Sequence, residues 1–168
     1  RISKSKNIEE SIEGFLSSSA SESSSILIIG GPLTNEDEDY YEYLLNIYKE
    51  HKNVSFIGPV PHSELVNYLK NVSFHINNTD KGFYDKSVLE TSVNGIINFY
   101  KNIDYDKNIP SKYQENLKFD GSPSDLSNKI SSIFSLDQNE FLKIIEHSQE
   151  EIKNESLDTL LKRITRVI

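Results

Sequence analysis

The stretch Ile26 to Pro32, ILIIGGP, decides the fold that the sequence predicts. Its first four residues are apolar and mostly β-branched, a pattern typical of a strand buried on both faces of a parallel sheet. The Gly30-Gly31-Pro32 turn ends this strand, because glycine and proline break regular structure. By itself the turn is a weak functional signal, although its glycines would also let the backbone approach a ligand closely.

Strands and helices alternate on both sides of this stretch. The apolar patterns predict further strands at Val54–Ile57, Val72–Ile76 and Ile96–Tyr100, and a brief fifth strand at Leu117–Phe119. They predict helices at Asn7–Leu16, Tyr40–Tyr48 and Ser63–Leu69, through Val88 and Val93, and from Ser124 onward, ending with Leu157–Ile168. This order predicts an α/β fold, a Rossmann-like parallel sheet flanked by helices with a helical C-terminal tail.

Two polar segments between these elements are predicted to be solvated. Ser17–Ser25 is almost entirely serine, which favours a flexible linker over a packed segment. The acidic run Glu36–Asp39 precedes a helix, where carboxylates stabilise the helix dipole and do not need a metal. Asn7 is a candidate N-cap of the first helix, with Glu10 completing a capping box.

Composition limits the classes of function. The chain has 168 residues and a net charge of −8, so one soluble domain that does not bind nucleic acid is expected. The sequence contains no cysteine, which excludes thiolate chemistry and agrees with a cytoplasmic location. Because the sequence begins at Arg1 and contains no methionine, we expect it to be a fragment of a longer protein.

Four loops should form one rim, since ligands bind outside the carboxyl ends of parallel strands. They are Gly30–Pro32, Gly58–Val60, Asn77–Lys81 and Gly82–Ser87. The amides of Ser87 and Val88 stand at a predicted helix start, which favours phosphate. Glu90, within that first turn, suits a ribose diol, although an ordinary surface acid explains it equally well.

The remaining polar candidates carry weaker signals. Arg1, Lys6 and Lys86 are cations that would complete a diphosphate contact, and each alone would normally be a solvated surface charge. His62 is predicted to be a cap or loop residue, and His75 a hydrogen-bonded core histidine. No spacing of carboxylates indicates a metal site.

The motifs taken together resemble a known family. RISKSKNIEESIEGF at residues 1–15, ILIIGGP at 26–32, VSFIGPVPHSELVNYL at 54–69 and DKSVLETSVNG at 85–95 follow one another at characteristic intervals. In this order they resemble the C-terminal, donor-binding domain of retaining glycosyltransferases with the GT-B fold, group 1 or family 4. Nearly the whole chain is covered by the resemblance.

The resemblance implies roles for individual residues. Arg1 and Lys6 match the cations that grip the donor diphosphate, and we expect them to be the catalytic residues. Binding of the nucleotide sugar is implied for residues of the rim and the following helix: Gly30, Gly31, Ile57, Gly58, Pro59, Gly82, Lys86, Ser87, Val88 and Glu90. Of these, Ile57–Pro59 would lie against the base, and Glu90 would accept the ribose hydroxyls.

The sequence departs from the family in the loop before this helix. Glu90 matches the second Glu of the E-x7-E motif, but Gly82 stands where the first Glu is expected. That first Glu lies near the transferred sugar in the family. Tyr84-Asp85-Lys86 nearly reproduces an "FDK" version of the loop found in similar proteins, so loss of activity does not follow from this departure.

The resemblance finally implies an activity and partners. A single donor-binding domain over residues 1–168 would bind a UDP- or GDP-hexose and transfer the hexose, with retention, to a glycan, lipid or other acceptor, as in polysaccharide biosynthesis. No cofactor or metal is expected. The N-terminal acceptor domain would be missing, and association with the inner membrane face through that half stays open. The alternatives are a catalytically degenerate binding or assembly domain and, much less favoured, a receiver-like module.

Overall fold

The computed structural model describes residues 1–153 of the chain. The helix predicted at Leu157–Ile168 lies outside the described residues. The strands are β1 (Ile26–Ile29), β2 (Val54–Gly58), β3 (Phe74–Asn77) and β4 (Ile97–Tyr100). The helices are α1 (Ile8–Leu16), α2 (Asn35–Tyr48), α3 (His62–Leu69), α4 (Ser87–Val93), α5 (Ser111–Leu117), α6 (Pro123–Phe134) and α7 (Gln138–Lys153). Short 3-10 helices occupy Lys4–Lys6, Ser19–Glu22 and Ile103–Asn108.

The strands pair in parallel, as predicted, but in two sheets. β1 pairs with β2 and β3 pairs with β4, each in a two-stranded sheet. The predicted fifth strand is a single bridge between Tyr100 and Lys118, because α5 stays helical as far as Leu117. The α/β class with flanking helices and a helical C-terminal region is confirmed, whereas one continuous sheet is not found among the described residues.

The most buried strand is β4 and not β1. All four residues of β4 are buried, and Ile97, Phe99 and Tyr100 lie in a core cluster with three residues of α6: Leu126, Ile130 and Ile133. In β1 the side chain of Leu27 is 38% exposed, so the prediction that β1 is buried on both faces is wrong. A second cluster packs Ile12 of α1 against α2 and β1.

The serine-rich segment is ordered, contrary to the linker prediction. Ser18 and Ala20 are buried, and Ala20 belongs to the main core cluster. The Ser18 hydroxyl donates to the Phe15 carbonyl at 2.6 Å, and the Ser21 hydroxyl donates to the Leu16 carbonyl at 3.0 Å. The Ser21 hydroxyl therefore supplies a donor to a carbonyl in the last turn of α1, and the Ser18 hydroxyl adds to the bond from its own backbone amide to Phe15.

Residues Arg1–Asn7, which we call the entry segment, cross the carboxyl ends of both sheets. The Ile2 amide donates to the Gly31 carbonyl just after β1 at 2.9 Å. The Asn7 side chain donates to the Asn78 carbonyl just after β3 at 2.7 Å, with Asn7 in the left-handed region at φ 47°. Asn7 is therefore not a side-chain N-cap of α1, because its amide is used to join the segment to the rim.

Candidate functional site

The turns after β1 and β2 form one packed surface at the rim. The Gly30 amide donates to the Gly58 carbonyl at 2.9 Å, and both glycines have positive φ, 140° and 80°. A Cβ on Gly31 would lie 2.8 Å from the Pro59 ring. Close approach of the Pro59 ring therefore requires glycine at residue 31, whereas positive φ favours glycine at residues 30 and 58.

Arg1 binds a buried carboxylate on the first turn of α2. Its Nε donates to Asp37 Oδ2 at 3.0 Å and its terminal nitrogen to Oδ1 at 3.4 Å. Burial raises the pKa of Asp37, but the hydrogen bonds from Arg1 and the Leu33 amide outweigh burial and hold the pKa below its usual value. The prediction that the whole acidic run is solvated is wrong for Asp37, whose side chain is 6% exposed.

Lys6 binds a second carboxylate, that of Asp85 just before α4. Its ammonium donates to Asp85 Oδ2 at 2.6 Å, while Asp85 Oδ1 accepts from the Ser87 amide at 3.0 Å. Burial raises the pKa of Asp85, but these two hydrogen bonds outweigh it and lower the pKa to about 2. The Ser87 amide, predicted to be exposed to a ligand, is therefore occupied by Asp85.

The loop of residues 81–86, where the family pattern is lost, is fastened to residues 102–108. Five hydrogen bonds make this connection. Three of them run from Gly82 N to Asp104 Oδ2 at 2.7 Å, from Asn102 Nδ2 to the Phe83 carbonyl at 3.2 Å and from Tyr84 OH to Asn108 Oδ1 at 3.1 Å. In the other two, the Tyr105 hydroxyl donates to the Asp85 carbonyl at 3.1 Å and accepts from the Asp85 amide at 2.5 Å. Gly82 is exposed and its amide is bound to Asp104. Among the described contacts, Gly82 reaches none of the other predicted site residues.

Glu90 lies on a groove between α3 and α4. Glu90 Oε1 is 3.3 Å from Nε2 of His62, and the Glu90 side chain is 39% exposed. The groove has a volume of about 320 Å³, and its lining is mostly apolar: Leu65, Val66, Leu69, Leu89 and Val93, with His62, Glu90 and Asn94 at its edge. The Glu90 carboxylate is therefore partly exposed at the lining of this groove.

The remaining predicted residues differ in burial and have few contacts with the rest of the candidate site. The Val88 side chain is fully buried in the core, so it is not available to a ligand. Lys86 is exposed, and Ile57 is partly buried in β2. The hydrogen-bonded core role of His75 is confirmed, because its Nδ1 lies 2.6 Å from Asn98 Oδ1. Burial lowers the pKa of His75, and the bond with Asn98 only partly offsets this effect.

Metal ligation and membrane spanning find no support in residues 1–153. In this part of the chain no group of three or more His, Asp or Glu side chains is arranged to hold a metal ion. None of the helices there is both long and apolar enough to span a bilayer.

Solved structures of glycosyltransferases have the same fold as this chain. The catalytic domain of cholesterol-alpha-glucosyltransferase from Helicobacter pylori superposes with a TM-score of 0.72 at 18% identity, over 92% of this chain and 93% of that one. Sucrose-phosphate synthase from Thermosynechococcus elongatus gives a TM-score of 0.72 at 14% identity, over 99% of this chain. The fold is that of GT-B glycosyltransferases.

The likeness to these GT-B structures is one of fold. The chain spans 43% of the length of the sucrose-phosphate synthase chain, and both identities are below 20%. No protein-family model and no curated protein sequence matches the chain. The chemistry of this GT-B domain therefore follows from its own residues.

Three residues of the candidate site were missed or undervalued by the sequence analysis. Asp37 and Asp85 bind the two predicted diphosphate cations, and His62 contacts Glu90. A local signal existed for Asp85, because Asp two residues before a helix start commonly accepts backbone hydrogen bonds there. No local signal indicated that Asp37 would bind a residue 36 positions away.

Proposed function

We propose that this chain is the donor-binding domain of a retaining glycosyltransferase, which binds a UDP- or GDP-hexose. The observation that carries the proposal is the course of the entry segment. It crosses the carboxyl ends of both sheets and brings Arg1 to the Gly30-Gly31 turn and Lys6 to the start of α4. Nucleotides bind at this edge of open parallel sheets.

The diphosphate is assigned to Arg1 and Lys6. The Arg1 side chain is 49% exposed although Asp37 accepts from its Nε and Nη2, so the third guanidinium nitrogen, Nη1, is left to bind an anion. Lys6 is 26% exposed and offers an ammonium, which binds phosphate as a point charge. The Arg1 backbone lies beside Gly30, so an anion bound by Arg1 would approach the glycine turn.

The nucleoside is assigned to the second turn and the groove. A Cβ placed on Gly58, at the end of β2, would meet no heavy atom within 4 Å, so the backbone of Ile57–Pro59 presents an open edge for a flat base. Glu90, beside the groove, would accept both hydroxyls of the ribose, because an ionised carboxylate only accepts hydrogen bonds. His62, in contact with Glu90, would hold that carboxylate in place.

The proposed chemistry follows from the charge on the leaving group. When the bond between the sugar and the diphosphate breaks, negative charge grows on the departing phosphate. Groups that bind this charge more strongly in the transition state than in the ground state accelerate the reaction. Arg1 and Lys6 supply such groups from residues of this chain. The acceptor and the groups that bind it would come from a further domain of the complete protein.

Isothermal titration of the chain with UDP and with GDP tests the proposal. We expect wild type to bind at least one of them at millimolar concentration, and Glu90→Ala and Arg1→Ala each to weaken that binding. Matched controls are Glu146→Ala on α7 and Lys4→Ala in the entry segment, both outside the site. Absence of binding by wild type at millimolar concentration contradicts the proposal, as does an equal loss in the controls.

A second candidate function is a binding or assembly domain without catalysis. The observation that favours it is at Gly82, which stands where the family has a catalytic-loop Glu and whose amide is held by Asp104 instead. Release of UDP or GDP from a nucleotide sugar by the complete protein would exclude this candidate. Nucleotide binding without any turnover across a panel of UDP- and GDP-hexoses would favour it.

A further inference from the structure

We infer that Asp85 is an internal anion that competes with the donor diphosphate for Lys6, so that donor binding exchanges one anion for another. This inference rests on the proposed function, which assigns Lys6 to the diphosphate. It makes Asp85 a residue that sets the affinity of the site and its preference for ligands with several negative charges.

The geometry of Asp85 is that of a bound anion. One carboxylate oxygen accepts from the Lys6 ammonium at 2.6 Å, and the other accepts from the Ser87 amide at 3.0 Å. Two oxygens of one phosphate would use the same two donors, because charge-assisted hydrogen bonds to carboxylate and to phosphate have similar lengths. While Asp85 holds both groups, the Ser87 amide has no proton left for a ligand, and the charge of Lys6 is already neutralised by a carboxylate.

The exchange requires only a small motion. The Tyr105 hydroxyl accepts from the Asp85 amide and donates to the Asp85 carbonyl, so the backbone of Asp85 is fixed. The carboxyl group is 31% exposed and lies at the end of a single Cα–Cβ bond. Rotation about that bond would free Lys6 and Ser87 together, without rearrangement of the 81–86 loop.

The exchange also predicts selectivity. A ligand must replace a full carboxylate charge, so a diphosphate gains more from Lys6 than an uncharged nucleoside does. Removal of the charge at residue 85 should therefore strengthen binding of diphosphates and leave binding of nucleosides unchanged. A general electrostatic effect would instead strengthen diphosphate binding after removal of any nearby acid.

The test compares Asp85→Asn with Asp80→Asn. Asn at residue 85 keeps an acceptor for the Ser87 amide and loses the charge, whereas Asp80 binds Lys101 and not Lys6. By titration calorimetry of the chain with inorganic pyrophosphate, UDP, GDP, uridine and guanosine, we expect Asp85→Asn to bind pyrophosphate and at least one of the two diphosphates about tenfold more tightly than wild type. Asp80→Asn should stay within about twofold of wild type.

Two outcomes would overturn the inference. One is an Asp85→Asn variant that binds diphosphates no more tightly than wild type. The other is an equal gain in Asp80→Asn, which would mean a general effect of charge. If Asp85→Asn fails to fold, carbon-13 NMR of the wild-type carboxyl groups decides, because pyrophosphate should shift the Asp85 resonance and leave that of Asp80 unchanged. An unchanged Asp85 resonance at saturation contradicts the exchange.

Failure of the proposed function gives a different pattern. If the chain binds pyrophosphate through Lys6 but neither UDP nor GDP, the exchange holds and the nucleotide site does not exist. If UDP or GDP binds equally to wild type and Asp85→Asn, the nucleotide site holds and the exchange is wrong. If wild type and both variants bind none of the anions, both proposals are contradicted.

Discussion

Two ion pairs hold the two cations of the candidate site, and they differ in burial. The Asp37 side chain, bound to Arg1, is 6% exposed, whereas the Asp85 side chain, bound to Lys6, is 31% exposed. Asp37 also accepts from the Leu33 amide within its own turn and lies on a helix of 14 residues. Asp85 lies in a loop with exposed neighbours on both sides.

This difference in burial indicates that the Arg1–Asp37 pair is structural and that the Lys6–Asp85 pair is exchangeable. Removing a partner from a buried pair leaves an uncompensated charge, so the Arg1–Asp37 pair anchors the entry segment to α2. A partly exposed pair costs less to open, because water solvates both groups when they part. Arg1 keeps one guanidinium nitrogen outside its pair with Asp37, whereas the charge of Lys6 is paired with Asp85 and is fully available to another anion only when Asp85 moves away.

The largest effect is expected at Lys6. Lys6→Ala should weaken binding of UDP or GDP by roughly 10- to 100-fold, because a hydrogen bond to a charged group contributes about 1.5–3 kcal/mol. Titration calorimetry measures this change. Lys4→Ala is the matched control, since Lys4 is exposed in the same 3-10 helix. Equal affinities of Lys6→Ala and Lys4→Ala would contradict the assignment of Lys6.

The next largest effect is expected on stability, at the contact between the two turns that lie beside Arg1. Gly31→Ala places a Cβ 2.8 Å from Pro59 Cγ, and overpacking of this kind costs about 1–3 kcal/mol. We expect a lower melting temperature by circular dichroism and partial recovery in the double variant Gly31→Ala, Pro59→Ala. If the single variant melts like wild type, the two turns are not packed as described.

The dependence of the melting temperature on pH allows the carboxylates of Asp37 and Asp85 to be compared directly. The folded pKa of Asp85 is lowered from 3.8 to about 2, so its stabilisation is complete above pH 3.8 and is lost as the pH falls toward 2. The pKa of Asp37 is also lowered, so its contribution too is lost in acid. Melting temperatures of Asp37→Asn and Asp85→Asn should fall less steeply than that of wild type between about pH 4 and pH 2.

One outcome of these acid melting experiments would contradict the prediction. Variants that keep the wild-type slope in acid would show that neither carboxylate titrates with a lowered pKa. At neutral pH, Asp37→Asn should lower the melting temperature more than Asp85→Asn does, because Asp37 is the more buried partner. The reverse order would contradict the division into a structural and an exchangeable pair.

The smallest effect is expected at His62. Its side chain is 83% exposed and its contact with Glu90 is 3.3 Å, so the contact is a weak one. His62→Ala should weaken nucleotide binding only a few-fold, as expected for loss of a hydrogen bond worth about 0.5–1.5 kcal/mol. Glu64→Ala, in the first turn of the same helix, is the control. A loss at His62 as large as that at Glu90 would mean that His62 binds the ligand itself.

The local features of the fold could be predicted from the sequence. ILIIGGP and FIGP each combine a strand with a turn in consecutive residues, so β1, β2 and their glycines were predicted correctly. The helix start at Ser87 followed from the same kind of local pattern. The spacing of apolar residues and the presence of turn-forming residues each involve only a few neighbouring positions. Both can therefore be recognised in the sequence alone.

The features that depend on distant residues could not be predicted. Lys6 and Asp85 are separated by 79 residues, and the Tyr105 hydroxyl that holds Asp85 lies 20 residues beyond it. The serine segment was predicted as solvated because serine favours water, yet hydroxyl bonds to backbone carbonyls and the burial of Ala20 order it. α5 was missed because its sequence, SKYQENL, has few apolar residues, with Leu117 buried at its end.

The proposed donor site requires the nucleotide to lie along the edge that the entry segment crosses. Nitrogen-15 NMR of wild type during titration with UDP and with GDP tests this placement residue by residue. We predict that the amides of Gly30, Gly58 and Glu90 shift together as nucleotide is added, while those of α7, which packs behind α4, do not. Shifts confined to other surfaces, or none at millimolar nucleotide, would contradict this placement.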